Sequence, residues 1–357
     1  MEKVGAKVFL AGTPVSVPDK HTVVQELFRS GNKLHSFYHC KSSGFEEAWF
    51  KMNVKNKVNL FLDSGAFSAK SKGAKIDIAE YIDFIKEHKD SIDVYANLDV
   101  IGDAEATWKN QEKMEKAGLN PLPVFHLEEK MNEQTAHGYL NRCLEYSYFC
   151  LGGMAKGYSS VSRNHYLDWC FRIICDTPDN MPKSKVHGFG IAAFNWLLTY
   201  PWYSIDSSTW SVVGRMGSIL VPRTRNGEWD YSRAPLKIGV TIRNPGKHVQ
   251  DQHIDTLSET HRDEVLRYVE SKGYRLGFSR SGKASQDRVL RPGERWAGKK
   301  PTDKTEKRIL EVVKEDGLCN RYELRDELNI IFFLDLEKHL PKWPRPFVSP
   351  QRVEKMF

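Results

Sequence analysis

The chain has 357 residues, of which 40% are hydrophobic and 28% charged, with a formal net charge of +7. That length holds one large domain, or a large domain with an appendage, and the composition reads as soluble and globular. No apolar run approaches the roughly 20 residues of a membrane helix, and "VFLAG" near the start is too short for a signal segment. The expected setting is therefore a bacterial-type cytoplasm with no membrane partner.

Eight short β-rich runs follow one another along the first two thirds of the chain. They are "KVFLAG" (7–12), "LHSFYH" (34–39), "VNLFLD" (58–63), "IDVYANLD" (92–99), "LPVFHL" (122–127), "YFCLGG" (148–153), "KVHGFG" (185–190) and "WYSIDSS" (202–208). Most intervening segments carry helical periodicity. Residues 78–90 place Ile78, Tyr81, Ile82 and Ile85 on one face, residues 106–118 end at a capping glycine, and residues 163–176 are apolar at 167, 170, 171 and 174. Strand–helix alternation predicts a parallel sheet with helices outside it. Eight units in this length predict a (β/α)8 TIM barrel over residues 1–220. No GxGxxG follows the first run, so a dinucleotide fold lacks its main support.

Residues 221–357 are expected to form an insertion and a C-terminal basic extension. Residues 221–244 read as a β-hairpin insertion or extra strands, 256–273 as a helix stopped by Gly273, and 302–317 as an amphipathic helix. The Pro-rich tail reads as extended over the surface. From Arg280 to Arg308 there are ten Lys/Arg against four Asp/Glu. Arg280, Lys283, Arg288, Arg291, Arg295, Lys299 and Lys300, with Trp296 among them, are candidates for phosphate contacts and base stacking. The competing reading is a solvated loop.

In a (β/α)8 barrel the site lies at the C-terminal ends of the strands. The polar residues there are Asp63, Asp99, His126, Gly152, Gly153, His187, Gly190 and Asp206, converging on one mouth. One strand ending in Asp is an ordinary turn or helix cap. Three such acids predict a site in which carboxylates divide the roles of nucleophile and general acid/base, chemistry suited to an anomeric carbon. The two glycines let backbone approach a flat ligand. Asp99 can accept from the N1–H and amine of a guanine-like edge. Phe67 is either a stacking ring or core. The six cysteines lack disulfide or zinc-knuckle spacing, and "HSFYHC" (35–40) reads as core or site lining before metal.

These motifs carry a resemblance. "LDSGAFS" (62–68) resembles the DSGGF motif of queuine/archaeosine tRNA-guanine transglycosylases. "LGGMAKG" (151–157) resembles their GGLAVGE, and "HGFG" (187–190) followed by "SIDSSTW" (204–210) follows their MGVG-then-FDCVLPTR order. The resemblance spans roughly residues 1–225. It implies a TIM-barrel enzyme that exchanges guanine for a 7-deazaguanine through a covalent aspartyl–sugar intermediate, with no cofactor. It also implies roles: Asp206 as nucleophile, Asp63 as general acid/base, and Asp99 with Ser64, Gly152, Gly153 and Met154 around the base. Phe67 and His187 would sandwich the ring, and His126 stands where the family commonly has a base-contacting Gln. The chain lacks the CxCxxC…His zinc pattern of the tRNA enzymes, so no metal is expected. "GGMAKG" lacks the motif's final acid, and the nucleophile loop is divergent. These departures are similar to the relatives that act on DNA, inserting preQ0-type bases. DNA, single-stranded or locally opened, and a free 7-deazaguanine are then the expected partners, with room for an accessory protein. The alternatives are a zinc-free tRNA enzyme, a two-carboxylate glycoside hydrolase, and a non-catalytic nucleic-acid-binding subunit.

Overall fold

The structure, a computed structural model, describes residues 3–127, 131–153, 160–191 and 193–350. The chain divides into two compact units, Met1–Ser208 with Leu334–Phe357, and Thr209–Phe333.

The first unit is built on eight parallel strands: β1 (Lys7–Ala11), β2 (Asn32–Ser36), β3 (Asn59–Asp63), β4 (Val94–Tyr95), β5 (Val124–Phe125), β6 (Tyr148–Leu151), β7 (Lys185–Gly188) and β8 (Ser204–Ser207). Each lies in or overlaps one of the eight β-rich runs. The sheet order is β4-β3-β2-β1-β8-β7-β6-β5. The sheet curls until its end strands meet at a parallel bridge, Ala96↔Leu122. Asn97 N–H donates to Leu122 O and Leu122 N–H to Tyr95 O, both at 2.9 Å. This arrangement is compatible with a (β/α)8 barrel.

The side-chain period of two sorts each strand into an inner and an outer face. Phe9, Ala11, Leu34, Phe61, Ala96, Val124 and Cys150 form one buried inner cluster. Helices occupy the connections where periodicity predicts them. Ile78–Glu87 is capped by Asp77, Ala104–Lys116 is followed by Gly118 at φ +83°, and Ser160–Ile174 buries Leu167, Cys170, Phe171 and Ile174.

The C-terminal segment belongs to this unit and is packed into it. Glu337 Oε2 accepts from Val8 N–H at 2.7 Å and Asn32 Nδ2 at 2.9 Å. Lys342–Trp343 pairs with Val4–Gly5. Phe347 is buried against Tyr200, ring centroids 5.7 Å apart. The tail is therefore anchored rather than spread over the surface.

The second unit has its own core, including Ile219, Val221, Ile238, Val265, Tyr268, Val269 and Leu328. It begins before residue 221. Asn329 ties the helix Thr209–Arg215 to the strand Ser218–Val221, donating to Trp210 O and accepting from Leu220 N–H. The expected hairpin is present as Arg223–Arg225 with Glu228–Asp230, turning at Asn226-Gly227, both at positive φ. The expected helix stopped by Gly273 spans Glu259–Ser271, capped by Ser258.

The expected helix over 302–317 is corrected: Arg308–Glu315 is the central strand of a three-stranded antiparallel sheet, between Phe278–Ala284 and Glu294–Ala297. The run Ile309, Val312 and Val313 is β-branched, which favours a strand flanked on both edges. The basic extension is thus a sheet here, and the helix of this region is Tyr322–His339.

Candidate active site

The inner face changes character toward the strands' C-terminal ends. On β3, Asp63 lies two residues after core Phe61, and on β8, Asp206 lies two residues after Ser204, so both acids share the inner face. Asp99 follows β4 and His126 follows β5.

Asp63 is partly accessible, and its Oδ2 accepts from Gly65 N–H at 3.0 Å. Burial, together with the charges of Asp99 and Asp206, pushes its carboxyl up to about 8, against the Gly65 and Ser64 N–H groups. Near neutrality this group carries a proton. Burial also raises Asp99, opposed by His126 and by the Ser64 hydroxyl. His126 Nε2 lies 3.7 Å from Asp99 Oδ2 and has no hydrogen-bond partner of its own.

Asp206 is held differently. Its Oδ1 accepts from Gly190 N–H at 2.8 Å and lies 3.4 Å from His187 Nε2, without hydrogen-bond alignment. His187 Nδ1 meets Ser204 Oγ at 2.7 Å, and Ser204 Oγ meets Tyr148 OH at 2.6 Å. With Tyr148 donating to Ser204 and Ser204 to Nδ1, the imidazole proton sits on Nε2, facing Asp206. Burial lowers the His187 pKa, so the ring is neutral, although Asp206 opposes the shift.

Two of the expected contacts change, and one open alternative is decided. His187 is fully buried against Phe61, Phe189 and Phe9, with centroids 4.4, 4.8 and 5.9 Å away. It is enclosed, and cannot sandwich a ligand ring without repacking those aromatics. Ser64 is also fully buried; it donates to Asp99 Oδ1 at 3.1 Å and so positions Asp99 instead of touching a ligand. Phe67 is 51% exposed, on the first turn of the helix Ala66–Ser71, and is not core.

Gly152 is buried beside His126, and Gly153 has φ +86°, a conformation other residues rarely adopt. Met154 lies outside the described residues. Two residues were not anticipated. Gly65 at φ +81° passes so close to Ser36 and Tyr38 that a side chain there would collide. Ser36 sits beside Asp63 in the β2–β3 register, its buried hydroxyl without a hydrogen-bond partner. The small residues around Asp63 in sequence were the only available signal for this close approach.

A second polar cluster lies on the outer face of β2. The Lys33 ammonium donates to Leu10 O, Gly12 O and Leu34 O at 2.7–2.9 Å. Burial lowers it to about 8, against the charges of Glu46, Cys40 and Asp206. His35 Nδ1 lies 2.8 Å from Glu46 Oε1, Asn53 Nδ2 meets its Nε2 at 2.9 Å, and the Thr13 hydroxyl donates to Glu46 Oε2. Burial and Lys33 lower His35 to about 4. Burial alone would raise Glu46, but His35, Lys33 and Thr13 outweigh it and hold it at about 2. The donor atoms of His35, Cys40 and Glu46 lie within 4.8 Å of one another. Both imidazole nitrogens are engaged and an ammonium stands nearby, so the cluster is a poor cation site, although Asn53 Oδ1 is buried without a partner.

In the second unit, two candidate phosphate contacts are internal ties. Arg288 is bidentate to Glu294 at 2.8 and 3.1 Å, and Arg295 donates to the buried Glu311 at 2.7 Å. Arg280, Lys283, Arg291, Lys299 and Lys300 are exposed.

Comparison with protein-family models, with curated proteins and with solved structures finds no match.

Proposed function

We propose that this chain is a (β/α)8-barrel base-exchange enzyme that replaces guanine in DNA with a 7-deazaguanine of the preQ0 type. The observation that carries the reading is the set of three buried or half-buried acids at three strand ends, with different hydrogen-bond surroundings. It is joined by the four sequence motifs in their order. Carboxylates whose environments separate their roles are what displacement at an anomeric carbon requires.

Asp206 attacks C1′ of the deoxyribose through its less encumbered oxygen, Oδ2, while Gly190 N–H fixes Oδ1. The C1′–O bond forms as C1′–N9 breaks, and the proton held by Asp63 passes to the departing guanine. The incoming deazaguanine returns its N9 proton to Asp63 and displaces Asp206 from C1′, which restores the starting state. Asp99, braced by Ser64, accepts from the guanine edge, and the Nε2 of His126 lies beside it. His187 acts on Asp206 and not on the base.

The test is incubation with preQ0 of guanine-containing DNA and of bulk tRNA in parallel, followed by digestion and mass spectrometry of nucleosides. A deazaguanine deoxynucleoside is expected from wild type and absent with Asp206→Asn, which retains the wild-type circular dichroism spectrum. Product only in tRNA moves the substrate to RNA. Absence of product in both overturns the reading.

A further inference from the structure

The strands Phe278–Ala284 and Glu294–Ala297 flank Arg308–Glu315 and are joined by residues 285–293, "SQDRVLRPG". A loop of this length is usually loosely held. This one is clamped. The Glu294 side chain, 9% exposed, binds Arg288 through both oxygens and accepts from Arg291 N–H at 3.1 Å. Gln286 Nε2 donates to Asp303 O and Glu306 O, and Gly293 O accepts from Val313 N–H at 2.8 Å.

The clamp holds two apolar side chains outward. Val289 is 87% exposed, the highest value among the described large hydrophobic residues, and Leu290 is 37% exposed. Single exposed apolar residues are ordinary. An adjacent pair on a tethered tip is less so, particularly with the exposed cation Arg291 beside it. An apolar tip beside a cation complements a duplex: the cation meets a phosphate and the tip enters between base steps.

We propose that Val289 and Leu290 form a wedge that inserts into duplex DNA and unstacks a neighbouring base, with Arg291 on a flanking phosphate. This rests on DNA being the substrate, as proposed above. It also supplies that chemistry with a need it has: a guanine inside a duplex must leave the stack before its C1′ can be attacked.

The test uses the full chain and a duplex carrying 2-aminopurine, whose fluorescence rises when it is unstacked, with binding followed separately by anisotropy. Wild type is expected to raise the fluorescence several-fold. Val289→Ser/Leu290→Ser is expected to abolish the rise and to bind single-stranded DNA as wild type does. Glu294→Gln, which keeps the apolar pair but releases the clamp, is expected to give a reduced rise. No rise with wild type, or an equal rise with the double variant, overturns the wedge. Loss of binding to phosphatidylglycerol vesicles with no change on the duplex also overturns it, in favour of a membrane contact. Duplex opening without base exchange leaves the wedge standing and removes the catalytic reading, so the two fail separately.

Discussion

Replacing Asp63 with asparagine separates a catalytic carboxyl from a structural one. The folded protein holds this carboxyl at about 8, whereas an unfolded chain has it at about 3.9. The folded state therefore binds the proton more tightly, and wild-type stability falls, through this group, as pH rises from about 4 to 8. At pH 7 the span of about 3 units corresponds to at most about 4 kcal/mol. Partial solvent access and sharing of the charge with Asp99 and Asp206 reduce the realised value to about 2 kcal/mol. The amide of the Asp63→Asn variant is neutral at every pH and avoids that cost. In urea unfolding, Asp63→Asn should match wild type near pH 4 and exceed it by about 2 kcal/mol at pH 7. Base exchange should be lost throughout, and wild-type exchange should fall above about pH 8 as Asp63 loses its proton. A stability difference that does not change with pH, or a less stable variant at pH 8, would refute the reasoning.

Other outcomes follow from the same geometry. Lys33→Met leaves Leu10 O, Gly12 O and Leu34 O without their donor and removes a charge near Glu46, and should cost about 3 kcal/mol in urea unfolding. Glu46 is held at about 2, so the stability it contributes is present above about pH 4 and lost as pH falls toward 2; Glu46→Gln should flatten that acid limb, and an unchanged limb would disprove the assignment. Gly65→Ala combines a positive φ with collision against Ser36 and Tyr38; it should destabilise by at least about 1 kcal/mol and displace the N–H that meets Asp63. Ser204→Ala removes the hydroxyl between Tyr148 and His187. It should lower kcat with little change in KM and alter the imidazole ¹⁵N shifts of His187; an unchanged tautomer would count against the relay.

The parallel sheet was legible because each strand is a short apolar run interrupted by a helix with a clear period. The carboxylates were legible because each stands where an apolar run ends. What sequence could not reveal was depth. His187 and Ser64 sit among site motifs, yet the first is enclosed by Phe9, Phe61 and Phe189 and the second by its contact with Asp99. Both act on acids, and only packing distinguishes that from contact with a ligand. The strand Arg308–Glu315 was misread because Ile309, Val312 and Val313 fit a helical stripe as well as a strand. Its two partner strands, which decide the matter, lie up to 37 residues away along the chain. Nothing in the sequence around Lys33 sets it apart from a surface lysine. Its burial depends on the carbonyls of Leu10 and Gly12, a tertiary fact.

The two polar clusters on β2 and its neighbours follow opposite logic. On the outer face, Lys33, His35, Glu46, Thr13 and Asn53 exchange hydrogen bonds: Lys33 donates to three carbonyls, and both carboxylate oxygens of Glu46 have a partner. Opposite charges compensate there, so the ammonium of Lys33 and the carboxylate of Glu46 are both taken up within the network. On the inner face, Asp63 lies in the field of Asp99 and Asp206, and Ser36 and His126 keep polar atoms without partners. Folding alone gains nothing from placing Asp63 there, since burial and the charges of Asp99 and Asp206 raise its proton affinity. A ligand presenting N–H donors and a developing positive carbon would satisfy it. The contrast argues that the inner cluster is retained for chemistry, and Asp63→Asn puts that to the test by predicting a protein that is more stable and inactive.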